Sequence, residues 1–446
     1  MRMKLIKKQM NLLMHVNYHD MRAIGILFVF SLFLLTGCNT ASNETPGLMA
    51  GISKANITPG TPIPMSGYRS RTEPFEGIHD SIYARVVVFS DGKNKAAVVS
   101  SEIIGLSDTF WKETTELIEQ KTGISAKSIL LAAVHNHSGP VTRVYKKDVP
   151  PEVHAYVDSL KNVLVGLVNE ANNSIQPVKI GAGKGICKMN INRRANDGKG
   201  NIQLGRNPYG PCDHEVGVIR IDDRDGNIIS LLVDWPCHGV VLGPRNLLIS
   251  GDWPGATSRY IEDSLETIIA PIIVGASGDI NPIYGPHIDF LDVSSYSYAP
   301  RAIGYDLGNE VIRVSHEIKT SGYGEVRYSQ KSIFLPGKSE DKNRLHHSAY
   351  EPGNDVEVRL TAVRIGDIVM GGINGELFNQ IGVKIRNQSP FESTFIVTHC
   401  NGSAGYLVSE DAIPLGGYEV RSTGAAPGAE QAIIEGLLGL IEELSD

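Results

Sequence analysis

Apolar and polar positions along this chain fall into short blocks separated by turn-forming residues. Residues 95–104, KAAVVSSEII, are β-branched and apolar and predict a buried strand. Residues 108–122, DTFWKETTELIEQKT, change to helical spacing, with Phe110, Thr114, Leu117 and Ile118 on one face and Gly123 as the stop. Residues 128–135, SILLAAVH, return to a buried strand. Strand, helix and strand in that order predict parallel strands joined by a right-handed crossover. In such sheets a ligand is expected beyond the carboxyl ends of the strands.

The middle of the chain predicts antiparallel structure. Residues 214–221, HEVGVIRI, and 228–235, IISLLVDW, flank Asp-Arg-Asp-Gly at 223–226, a good hairpin turn. A helix over 255–268, a strand over 271–276 and an irregular loop over 283–298 are expected next. Helices near 301–318 and 429–444, and strands near 324–335, 357–365, 367–373 and 394–399, complete the pattern. The alternation predicts an α/β fold, a mixed β-sheet flanked by helices, forming one domain over residues 49–446.

The N-terminus reads as a separate segment. Residues 23–36, AIGILFVFSLFLLT, form an apolar run led by Arg22, short for a membrane span and built like a signal h-region. Leu35-Thr36-Gly37-Cys38 resembles the bacterial lipobox, so residues 1–38 are expected to be a lipoprotein signal ending in a lipidated Cys38. Met21 offers an alternative start that would leave residues 1–20 untranslated. Residues 39–48 read as a polar tether. Asn39 after the cysteine points to the outer membrane of a Gram-negative cell by the usual sorting rule. A plain secretory signal is the competing reading.

Composition narrows the partners. The formal net charge of −7 comes without a Lys/Arg-rich run, which argues against nucleic acid. A lipid chain at Cys38, rather than charge, is the expected link to the membrane. Cys187, Cys212, Cys237 and Cys400 form no CxxC pair, so paired and free thiols both remain open. Oligomeric state has no signature in the chain.

The strongest candidate chemistry lies in LAAVHNHSGP at 131–140. His135 and His137 stand at i and i+2 at a strand end, so both rings can face one point, as metal ligands do. Two surface histidines capping a strand fit that spacing equally well. HxH also opens the metal sites of amidohydrolase barrels and of the metallo-β-lactamase fold. The latter continues HxHxDH, which HNHSGP does not, and the hairpin-rich middle lacks an eight-fold β-α repeat.

The surrounding residues resemble the neutral ceramidases. HNHSGP is similar to that family's A-T-H-T-H-S-G-P segment, and Ala50–Pro59 to its opening segment. Gly77–Arg85 resembles its GIH…LYAR stretch, Asn190–Arg193 its NINR, and Cys400–Tyr406 its late C-N-x-Y-T-H-Y stretch. These segments keep the family's order across residues 49–446. The resemblance implies the catalytic-domain fold of that family and one Zn2+ per chain, held by two histidines, a glutamate and a tyrosine. Carried over by motif, these are His135, His238 after the 228–235 strand, Glu376 in Gly375-Glu376, and Tyr406. It further implies that His137 and Arg193 face the substrate and stabilise a tetrahedral intermediate. Asp252 is expected to orient a ligand histidine.

Two departures shape the functional expectation. The family's G-D-V-S-P-N carries a serine, and here Asn281 takes its place in Gly278-Asp-Ile-Asn-Pro-Ile283, with an amide that is no nucleophile. Ser277 lies four residues earlier and is expected to point elsewhere. The chain is also expected to lack the family's extra immunoglobulin-like domain, for want of length. The expected activity is therefore zinc-dependent hydrolysis of an amide, in an N-acyl sphingoid lipid or similar molecule, by metal-activated water, with Asn281 as an oxyanion donor. The alternatives are a metal-dependent esterase or deacylase acting on a glycan or small molecule, and a surface lipoprotein that binds its ligand without turnover.

Overall fold

The computed structural model describes residues 47–143, 149–266, 268–284, 298–339 and 352–445. The leader, Cys38 and most of the tether lie outside the described residues, as does nearly all of the expected 283–298 loop.

Three sheets carry the fold. The first has five strands in the order Ile129–Ala133, Lys95–Ser101, Tyr83–Ser90, Met49–Asn56 and Gln176–Pro177. The two strands of the expected crossover run parallel, with Val99 opposite Leu131, and the remaining pairs are antiparallel. The crossover helix is Asp108–Thr122, as the spacing predicts. Its cap is Ser107, whose side chain accepts from the Phe110 N–H, and it ends at Gly123 with φ 73°. Its buried stripe is turned toward Thr115, which leaves Leu117 exposed at the outer edge.

The second sheet has the order Ile272–Val274, Ile228–Trp235, Glu215–Asp222, Lys179–Ile186. The expected hairpin is there, Val218 facing Val233, and the 272–274 strand joins parallel to 228–235. Helices Asp252–Leu265 and Tyr298–Ser315 pack together, the latter against this sheet. The third sheet has the order Val326–Lys338, Pro352–Ile365, Ile368–Ile373, Ser393–Val397, its last two strands parallel. Helices Asn379–Gln388 and Ala429–Glu443 lie against it.

Among the described residues three α-helices have no counterpart among the expected elements: the short Tyr418–Ser422, Asn379–Gln388, and Pro151–Asn173, the longest of all. Pro151 at its first turn and buried Val153, Leu160, Leu164, Leu167, Val168 and Ala171 carry the helical period that would have identified it.

The sheets share a central apolar core. Phe89, Val98 and Leu130 from the first sheet, Ile219, Leu232 and Ile273 from the second, and Val363, Met370 and Phe395 from the third pack into one buried cluster. Each outer face has its own cluster beneath its helices. The chain from residue 46 to 446 forms one compact unit. The expected class, mixed β-sheet flanked by helices, is what the structure shows, with three larger sheets and three small ones among the described residues rather than one.

Packing three sheets on one core places several carboxyl strand ends together. Backbone bonds outside the ladders clip them. The His137 N–H donates to the Gly239 carbonyl at 2.9 Å, Thr398 N–H to Val274 at 2.9 Å, Ala133 N–H to His399 at 3.2 Å and Gly278 N–H to Leu377 at 2.7 Å. Gly278 permits that last approach, because a Cβ there would lie 2.6 Å from the Glu376 carbonyl oxygen.

Candidate metal centre

Each clipped strand end delivers a polar residue to one buried point. His135 follows the 129–133 strand, His238 the 228–235 strand, Ser277 the 272–274 strand, Glu376 the 368–373 strand and His399 the 393–397 strand. His135 and His399 both hold left-handed backbone, at φ 55° and 50°, a conformation side chains with a Cβ rarely adopt. The strand ends turn sharply there, and the rings turn inward.

The imidazoles are oriented by main-chain carbonyls. His135 Nδ1 lies 2.9 Å from the Ile104 oxygen and His238 Nδ1 lies 2.8 Å from the Ser277 oxygen. Donating from Nδ1 leaves the lone pair of each ring on Nε2, the tautomer a metal ligand needs. Both Nε2 atoms stand 3.5 Å from Glu376 Oε2. His238 Nε2 and Glu376 Oε2 have no hydrogen-bond partner among the described residues.

Protonation states follow from burial. Desolvation pushes His135 down to about 3, against the opposing pull of Glu376. Desolvation, with Arg193 nearby, lowers His238 as well. Burial alone would raise the Glu376 carboxyl, but the surrounding His135, His238 and His399 reverse that and hold it well below the usual carboxylate range. Neutral imidazoles around a carboxylate are the states a divalent cation requires. Buried Nε2 and Oε2 atoms without partners, drawn from a His/Glu set, fit zinc.

His137 lies over this cluster. Its Nε2 is 3.1 Å from His135 Nε2, its ring is tilted against Tyr68 at 5.2 Å, and the Arg71 guanidinium donates to its carbonyl at 2.5 Å. Gly67, at φ 102°, makes room, since a Cβ there would strike the His137 ring. Arg193 comes from the Asn190–Asn196 strand and is held at three points. Its Nε donates to Glu419 Oε1 at 2.8 Å, its Nη2 to the Tyr406 hydroxyl at 2.9 Å, and its Nη1 to Asn281 Oδ1 at 3.3 Å. Asn281 sits on the strand Ile280–Pro282, paired with Ile191 of the Arg193 strand. Tyr406 is the direct partner of Glu376 in a short parallel ladder.

The geometry thus gathers His135, His137, His238 and Glu376 around one point, and links Arg193, Asn281 and Tyr406 to one another. Asp252 does otherwise than expected. Its carboxylate accepts from the N–H groups of Val241, Leu242 and Trp253, so it shapes the loop after His238 and the first turn of its helix instead of touching a ligand histidine. The helix accordingly begins at Asp252, three residues before the expected start. Ser277 contributes its backbone carbonyl, and its hydroxyl is buried without a partner among the described residues. His399 is absent from the expected set. Its signal is the one shared by His135 and His238, a histidine just past a buried apolar strand. All four remaining cysteines are free.

Comparison with known proteins agrees in fold. Residues 48–284 match the family described as neutral/alkaline non-lysosomal ceramidase, N-terminal. That span includes His135, His137, Arg193, His238 and Asn281 and stops short of Glu376 and Tyr406. Among curated proteins, a neutral ceramidase of Oryza sativa subsp. japonica is 26% identical over 257 residues, covering 55% of this chain and 32% of that protein. The neutral ceramidase of Pseudomonas aeruginosa is 23% identical over 249 residues, covering 52% of this chain and 36% of that protein. The chain therefore spans about a third of the length of these relatives. The crystal structure of neutral ceramidase from Pseudomonas aeruginosa superposes with a TM-score of 0.76 over 90% of this chain and 75% of that one, at 17% identity.

Proposed function

The chain belongs to the neutral/alkaline non-lysosomal ceramidase family, and on that premise we propose that it is a zinc-dependent hydrolase cleaving the amide bond of an N-acyl sphingoid lipid or a similar molecule. The observation that carries this reading is the buried cluster of His135, His238 and Glu376, with Nε2 and Oε2 atoms facing one another 3.5 Å apart. These three residues would hold the ion, with Tyr406 as the fourth donor that the family resemblance assigns.

When bound, zinc polarises a carbonyl oxygen and brings the pKa of water to about 7. The chain's own residues do the rest. Arg193, fixed by Glu419 and Tyr406, keeps a permanent charge beside the cluster for the oxygen that becomes negative as water adds to the carbonyl carbon. Asn281 turns its Oδ1 to Arg193, so its amide N–H is the second donor there. His137 is neutral because it is buried, with His135 and His238 adding to the effect. It accepts a proton from the attacking water and returns it to the amine nitrogen as the C–N bond breaks, leaving a carboxylic acid and an amine. Asn281 is no nucleophile, so the acyl group stays off the protein.

The lipobox-like Leu35–Cys38 supports an anchor that would hold the enzyme at the outer membrane beside such lipids. Among the described residues no helix is long and apolar enough to cross a membrane. Ion content and turnover of a fluorescent ceramide, measured on the parent and His238→Ala, test the proposal. One zinc per chain and turnover in the parent, both lost in the variant, are expected, and turnover in metal-free protein overturns it. Asn281 at the family's serine position favours a second reading, hydrolysis of an acylated glycan or small molecule. A panel of acylated sugars beside the ceramide separates the two. Lipid binding without release of fatty acid would indicate a binding protein instead.

A further inference from the structure

We propose that His399 is a ligand of the metal in this chain, taking the place that the family resemblance gives to Tyr406. The inference rests on the metal-site reading above and changes its donor set.

His399 is buried to 1% exposure at the end of the 393–397 strand. It is wedged between two ligand-bearing segments. Its N–H donates to the Gly375 carbonyl at 3.3 Å, next to Glu376, and its carbonyl accepts from Ala133, next to His135's loop, at 3.2 Å. Its ring stacks on His135 with centroids 3.8 Å apart and planes 11° apart. One donor atom from each of His135, Glu376 and His399 lies within 4.8 Å of the others.

Both His399 nitrogens lack a hydrogen-bond partner among the described residues. A buried polar atom left without a partner costs about 1–3 kcal/mol, and the left-handed backbone at φ 50° adds strain. A purely structural residue at this position would avoid the first cost, since a leucine fills a similar space without polar atoms. The two are borne together where a ligand supplies the missing partner. The Tyr406 hydroxyl, by contrast, accepts from Arg193 Nη2 at 2.9 Å and interacts with the Glu376 carboxylate, so it has partners within the protein. Imidazole nitrogen is among zinc's usual protein donors. Histidine χ2 is a broad torsion, so the ring can turn about it from its stacked position toward the ion.

The test uses the full chain, the His399→Leu and Tyr406→Phe variants, and zinc and cobalt(II) as probes. Zinc affinity is read by competition with a chromogenic chelator. The cobalt(II) forms are read by proton NMR, in which each ligating histidine gives a hyperfine-shifted, exchangeable imidazole N–H signal. His399→Leu is expected to weaken zinc binding about 10–100-fold or more and to remove one of those signals. Tyr406→Phe is expected to keep both affinity and signals. Removing an unpartnered imidazole should leave the metal-free variant at least as stable to urea as the parent. If His399→Leu does not fold, His399→Gln keeps a polar side chain without an imidazole and gives the same readouts. Unchanged affinity and signals in the His399 variants, with loss in Tyr406→Phe, overturn the inference and leave the metal site standing. A parent chain that binds neither ion overturns both.

Discussion

Two of the buried clusters of charge among the described residues are built on opposite principles. In the first sheet, Arg85 donates from Nε to Glu262 Oε1 at 2.7 Å and from Nη1 to Glu102 Oε1 at 2.5 Å. Glu102 also accepts from the Tyr83 N–H at 3.1 Å, and Glu262 from Lys54 at 2.6 Å and the Ala270 N–H at 3.1 Å. That network is closed within the protein. At the strand ends, His238 Nε2, Glu376 Oε2 and both nitrogens of His399 have no hydrogen-bond partner among the described residues. Burial is the same in both places, and satisfaction is what differs. A fold closes its structural charges itself and leaves open those that a ligand is to complete.

Breaking the open cluster should have the largest effect on activity. His238→Ala is expected to lower kcat/KM for the hydrolysed lipid by several kcal/mol of transition-state stabilisation, on the order of 10⁴-fold. Far-UV circular dichroism of the metal-free variant should match the parent. Unchanged turnover would sink the site assignment.

Breaking the closed network should act on stability and leave the chemistry alone. Arg85→Met strands Glu102 and Glu262 as buried carboxylates, and urea unfolding should show a loss of about 3–5 kcal/mol. The specific activity of the folded fraction should hold. Full stability in that variant would mean the network is not closed as described.

Between the two stands Asn281, which belongs to the open cluster through Arg193 alone. Asn281→Ala should lower kcat about 10²-fold with KM nearly unchanged, as expected for a donor used only in the transition state. A change in KM alone would make it a binding residue.

The smallest effect concerns Asp234, a buried carboxyl that lies in neither cluster and has one oxygen unpartnered among the described residues. Burial raises it to about 8, against the pull of Arg386. From about pH 4 to pH 8 the unfolded chain ionises this group while the folded protein keeps it protonated. Stability therefore falls as pH rises across that window and levels off above it. Asp234→Asn should remove this component, so its stability relative to the parent should grow from pH 5 to pH 8 in urea titrations. A difference constant across those pH values would show that the carboxyl ionises freely in the folded state.

How much of this was legible along the chain depended on distance. The crossover of the first sheet, its helix at 108–122 and the hairpin across Asp-Arg-Asp-Gly are local patterns, and they stand where the periodicity places them. His135 and His137 were legible for the same reason, two rings on one side of a strand end. His238, Glu376 and Tyr406 entered through family resemblance alone, since no spacing rule joins them to His135. Helix 151–173 was missed although its apolar period is local, and Leu117 was placed inside because the period does not say how far a buried stripe is rotated.

By itself, then, the sequence determined the order and type of most elements, the parallel crossover, and a pair of histidines where a strand surfaces. Only the tertiary structure decided that three sheets share one core, that their carboxyl ends meet, and that His399 joins His135, His238 and Glu376 there. It also decided that Asp252 serves a loop and not a ligand. The physical reason is that periodicity reports which face of an element is buried, whereas a ligand set is drawn from elements far apart in the chain. Whether a buried nitrogen has a partner is a property of the assembled interior.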